Sequence, residues 1–167
     1  MKSLKSVLAA VVLSVAALTA HADALTNYAE NKLTDALWRG QALGAPATWY
    51  VGLDTVACSE TGGGTEVAGG SYARVGVAAS LAAWAGTQSA GSTVASSGTG
   101  GTTSNNGAIS FPAPTANWGQ VVSFRVWDAS SGGNAWICQT LTTAKTINNG
   151  DAAPSFTAGS LTIQLDN

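Results

Sequence analysis

The sequence holds one histidine, His21, and it lies in a leader that reads as removable. The rest of the chain lacks the imidazole base on which Ser-His-Asp and Cys-His devices depend. The two cysteines, Cys58 and Cys138, are far apart and have no histidine near them, so the Cys/His cluster of a zinc site is absent too. Charge is scarce, with 10% charged residues and seven Lys+Arg against nine Asp+Glu. Beyond the first few residues the cations are Lys32, Arg39, Arg74, Arg125 and Lys145, and they are scattered. Phosphate neutralisation needs clustered cations, so nucleic acid is excluded as a partner. The glycine-rich stretch Cys58–Glu66 lacks the Lys-Ser/Thr of a phosphate loop and reads as a flexible turn. The high Gly, Ala, Ser and Thr content with low net charge fits a compact all-β domain and not a disordered tail.

The first residues form a separate object. Lys2 and Lys5 precede an apolar run from Val7 to Leu18, and Ala20-His21-Ala22 fits a small-x-small cleavage site. This pattern predicts a secretory signal peptide over 1–22, cut after Ala22. The run falls short of the roughly 20 apolar residues that span a bilayer, so no stable membrane anchor is expected after cleavage. Residues 23–167 then form one domain.

What is plentiful is strand signal, and it centres on Trp118–Thr142. Val121–Trp127 and Ala135–Leu141 are rich in β-branched and aromatic residues, and a Ser/Gly/Asn turn separates them. That is a hairpin pattern. Alternation places Val122, Phe124 and Val126 on one face, and Ile137 with Leu141 opposite Trp136 with Cys138. Further strands are expected at Thr48–Asp54, Ser71–Ala79, Ala108–Phe111 and Ser160–Asp166, and Lys145–Ile147 leads into an Asn-Gly turn. Gly86–Gly107 is nearly all small and polar and reads as a long mobile loop, or as a loop with a short strand near Ser92–Ser96. Leu25–Arg39 is expected to be an amphipathic helix, with its stripe at Leu25, Tyr28, Ala29, Leu33, Ala36 and Leu37 and a capping pair at Asn27 and Glu30. The stripe packs on the sheet or docks on a partner subunit. The whole pattern predicts an all-β fold, an antiparallel β-sandwich or jelly-roll-like domain with one N-terminal helix.

Few residues offer chemistry. Asp54, Glu60, Glu66, Asp128 and Asp151 are the carboxylates that could pair for glycosidic work. No motif supports such a pair, so no catalytic, cofactor-binding or metal-ligating residue is assigned. Cys58 and Cys138 form an even pair behind an export signal, so they either close a disulfide or lie as two separate small thiols. Most of the six tryptophans alternate with apolar neighbours inside strands. Trp84 and Trp118 lie near loops and are the candidate surface aromatics for stacking on a glycan.

Several segments together resemble a known family. They are Leu25–Leu33, Ala47–Leu53, Gly64–Val67, Gly70–Arg74, Ile109–Pro112, Trp118-Gly119, the Trp127–Asn134 hairpin, Leu141–Thr146 and Ala158–Ile163. The stretch from about Ala24 to Asp166 is similar to small tailed-phage and prophage tail fibre, or minor virion, proteins. The resemblance implies a non-enzymatic structural subunit that assembles with other virion or self subunits, as a homo-oligomer. It brings no catalytic residues. Family members begin near Ala24, so the leader here points to a prophage-derived domain recruited for secretion, to an artificially joined leader, or to a fortuitous upstream start. The alternative reading is a secreted module that binds a cell-surface glycan. The expected location is the virion under the family role and the periplasm or exterior under the leader.

Overall fold

The computed structural model describes residues 24–165, so the leader, its cleavage site and Asp166 lie outside the described residues. Helix α1 spans Asn27–Trp38, and nine strands follow: β1 Thr48–Val56, β2 Thr65–Glu66, β3 Val75–Ala78, β4 Thr102–Ser104, β5 Ile109–Ser110, β6 Gly119–Trp127, β7 Ala135–Ile147, β8 Ser155–Phe156 and β9 Thr162–Gln164. All pairings are antiparallel. The main sheet runs β2-β1-β6-β7, with β3 also on β1; β4-β9 and β5-β8 are two-stranded ribbons.

The predicted hairpin is the spine of this sheet. Strand β1 pairs β6 from Tyr50↔Trp127 to Asp54↔Ser123, and β6 pairs β7 from Gly119↔Ile147 to Trp127↔Ala135. Pure alternation does not hold along it. The register shifts between Val121 and Ser123 and again between Val126 and Trp127. Such irregularities turn side chains to the other face. Val121, not Val122, is therefore the buried residue at that end, and Trp136 joins Ile137 in the core. Val51, Leu53, Phe124 and Val126 pack with Ile109, Phe111, Leu161 and Ile163 of the ribbon segments in one apolar cluster.

The helix is shorter than its apolar pattern suggested. Leu25 makes a β-bridge to Ile137, and Thr26 is the N-cap, its Oγ1 accepting from the Ala29 N–H. The Asn27–Glu30 pair is thus not the cap. Ala29 is fully buried, and Tyr28 meets Trp136 edge-on at 5.5 Å. The stripe outruns the sheet, since Leu37 is 71% exposed.

The Ser/Thr/Gly stretch also departs from expectation. Residues 92–96 form no strand; the strand comes later, as β4 on β9. Asn105 follows it and is 1% exposed. Its Nδ2 donates to Gly107 O and Thr157 O, and its Oδ1 accepts from Leu161 N–H. The amide stitches the two ribbons together, so the stretch is anchored at its C-terminal end and is not a free loop throughout. Ser71–Ala79 narrows to β3, and the glycine-rich stretch after Cys58 ends in β2.

Candidate functional site

One face of the main sheet is apolar, but the other gathers two acid–arginine pairs. Asp54 on β1 and Arg125 on β6 are 0% and 6% exposed. Arg125 Nε donates to Asp54 Oδ2 at 2.9 Å, and Nη2 donates to Oδ1. Beside them Arg74 donates to both oxygens of Glu66 at 2.7 Å and to the carbonyls of Ala129 and Gly132. Tyr72 Oη completes the set by donating to Glu66 Oε1 at 2.9 Å and accepting from Leu53 N–H. Both guanidinium groups lie on the Trp127 ring, with carbons 3.7 Å (Arg74) and 4.4 Å (Arg125) from its centroid. Planar guanidinium suits this double use, forked to a carboxylate and stacked on an aromatic. Gly52 makes room for the cluster, since a Cβ there would sit 2.8 Å from Glu66 Oε1 and 3.1 Å from Trp127 Nε1.

Electrostatics divide the two carboxylates. Burial pushes the Asp54 carboxyl above its ordinary value, against the opposing pull of Arg125. Burial would raise Glu66 as well, but hydrogen bonds from Arg74 and Tyr72 and the nearby positive charge outweigh it and hold Glu66 low. Burial and the adjacent Glu66 carboxylate push the Tyr72 phenol up.

The other predicted residues lie as follows. Cys58 and Cys138 are joined, with Cα atoms 5.8 Å apart. Trp118 is not a surface aromatic: it is 5% exposed, and its Nε1 donates to Gly70 O at 2.9 Å. Gly70 has a positive φ of 54°, and a Cβ there would collide with that indole nitrogen. Trp84 is half-buried and lines an apolar groove of about 290 Å³ with Trp49, Leu33 and Leu165. Asp128 is spent on its own hairpin, where Oδ1 accepts from Asn134 N–H and Oδ2 from Asn134 Nδ2 and Trp136 Nε1. Asp151 Oδ2 accepts from Asn148 N–H in its turn. Asp54 and Glu66 are Cα partners in the β1–β2 ladder, but each is claimed by its own arginine. Glu60 alone of the five has no side-chain partner among the described residues, where no group of three His, Cys, Asp or Glu could hold a metal either.

A polar cavity of about 260 Å³ adjoins the cluster. Its walls come from the start of α1, the Glu60–Gly62 turn, Arg125 and Trp127 of β6, and the end of the β6–β7 turn. Sequence reasoning missed the arginines because nothing in their spacing shows that the sheet register brings them to one face.

The fold is an antiparallel all-β module with one short helix. The family model described as podophage GP4 fiber I protein gp80 matches residues 24–164, and the chain belongs to this phage fibre family. No protein with a curated description matches it.

Proposed function

We propose that the chain is a non-enzymatic structural subunit of a podophage-type fibre, in an exported, prophage-derived form that assembles with copies of itself or with other virion subunits. The family match across the described residues carries this reading. The pairing of Asp54 with Arg125 and of Glu66 with Arg74 supports it, because these charges are spent on linking β1 to β6 and β2 to the segment before β3. The leader pattern and the Cys58–Cys138 bond fit folding in an oxidising compartment. The test is purification of intact particles from the producing cells, followed by mass spectrometry. The chain should be found in the particle fraction, beginning at Asp23. Its absence from particles, or its recovery only with residues 1–22 attached, would count against the structural and the exported parts respectively.

A second reading, a secreted module that binds a surface glycan, is favoured by one observation: the polar cavity beside Arg125 retains unspent hydrogen-bonding groups. Trp84 and Trp118 do not support it. Trp118 is buried, and the Trp84 Nε1 is closed off from solvent.

A further inference from the structure

We infer that the cavity between the α1 N-terminus, the Glu60 turn and the β6–β7 turn binds a single neutral sugar unit; this inference rests on the glycan-binding reading. Arg125 uses Nε and Nη2 on Asp54, and its Nη1 has no partner among the described residues. This side chain is more than nine-tenths buried and lines the cavity. The Tyr28 N–H, in the first turn of α1, has no intrahelical acceptor and none elsewhere among the described residues. Two donors therefore lie in the cavity wall. The same cavity is lined by Glu60 and Asn27, whose side chains are exposed and unpartnered among the described residues, and by Asn134, whose Nδ2 is spent on Asp128 while its Oδ1 is not.

A hydroxyl both donates and accepts, so a polyhydroxylated ring satisfies donors and acceptors together. Half-buried Tyr28 offers carbon surface for the C–H face of such a ring, while the Trp127 ring already carries both guanidinium groups. The charge balance selects a neutral ring. Asp54 already neutralises Arg125, which leaves Glu60 to repel an anionic sugar. The volume, just below the usual range for ligand cavities, suits no more than one unit.

Each wall is fastened by its own device. Thr26 Oγ1 donates to Ala135 O and ties the helix start to β7. Asn27 N–H donates to Glu60 O. The disulfide at Cys58 holds the root of the Glu60 turn, and Asp128 locks the β6–β7 turn through Asn134. A site assembled before the ligand arrives loses little affinity to ordering.

The test uses the mature chain and methyl glycosides of glucose, galactose, mannose and N-acetylglucosamine, each probed by saturation-transfer NMR and titration. At least one should bind. Glu60→Ala and Asn27→Ala should each weaken it about tenfold, the loss expected for one strong hydrogen-bonding partner. Their melting temperatures should stay unchanged, because both side chains are exposed. Binding that survives both substitutions but is lost in Trp84→Ala would overturn this site and keep the glycan reading. Binding of glucuronic acid in place of the neutral glycosides would overturn the neutral class. Binding of none of these probes would overturn both the site and the reading.

Discussion

Asp54 and Glu66 face each other across the β1–β2 ladder, two carboxylates in adjacent strands, yet they do not share a proton or a partner. Arg125 takes the first and Arg74 the second, and Trp127 lies against both arginines. The cluster is thus neutral and internally paired. Like charges opposed in a sheet destabilise it, and the two guanidinium groups remove that cost.

The buried Asp54–Arg125 pair should be costly to break from one side. Arg125→Met leaves the Asp54 carboxylate in the interior without its counter-charge, and a loss of about 3–5 kcal/mol is expected. The double variant Asp54→Leu/Arg125→Met should recover most of that loss, since apolar replacement of a buried pair is often neutral. Urea unfolding of the two variants beside the parent checks this. A double variant no more stable than Arg125→Met would show that Trp127 stacking, and not charge balance, is what Arg125 supplies.

Acid should weaken the fold through Glu66. Its folded pKa is depressed below the ordinary 4.5, so its contribution is present above that value and is lost as pH falls through the lowered folded value. Asp128, also depressed, acts in the same direction from its ordinary 3.8. Asp54 is raised and acts oppositely, favouring the fold as it protonates. Thermal melts between about pH 6 and pH 3 should therefore fall, and Glu66→Gln should flatten that fall while lowering stability at neutral pH. An unchanged acid slope in Glu66→Gln would assign the acid sensitivity to other groups.

The disulfide spans 80 residues of sequence. The chain-entropy estimate for a loop of this size is about 4–5 kcal/mol. Cys58→Ser/Cys138→Ser should lose about that much in denaturant unfolding, and reductant should lower the parent's stability to a similar level. Equal stability with and without reductant would mean that the bond does not restrain the unfolded chain.

Asn105 and the preceding loop should behave oppositely under change. Asn105→Leu strips hydrogen bonds from three buried or partly buried backbone groups, at about 1–3 kcal/mol for each group left unsatisfied. Removing residues 89–95 shortens an exposed turn, and closure entropy changes slowly with loop length, by about 0.6 kcal/mol per doubling. Melts should show a large drop for the first variant and a small one for the second. Comparable drops would place the loop among the structural elements.

The hairpin was legible in the sequence because β-branched and aromatic residues in alternation leave a strong local signal, and β6–β7 is its product. The charge cluster was not. Arg125 is far along the chain from Asp54, Glu66 and Arg74, and only the β1–β6 register brings it to them. Trp118 misleads for a related reason: a position beside a loop says nothing of the Gly70 carbonyl waiting for its indole. Asn105 hides in a run of serine, threonine and glycine, where a buried amide looks like any other polar residue. Short strands such as β4 and β8 owe their existence to their partners and not to their own composition.

The bond between Cys58 and Cys138 closes a covalent ring, and the exposed segment from Gln88 to Gly100 lies inside it. A protease that cuts there opens the ring without releasing either piece. The nicked chain would keep its mass under non-reducing conditions and part into two fragments only when the bond is reduced. That arrangement turns the peptide bonds of this exposed segment into sites where cleavage does not end in dissociation.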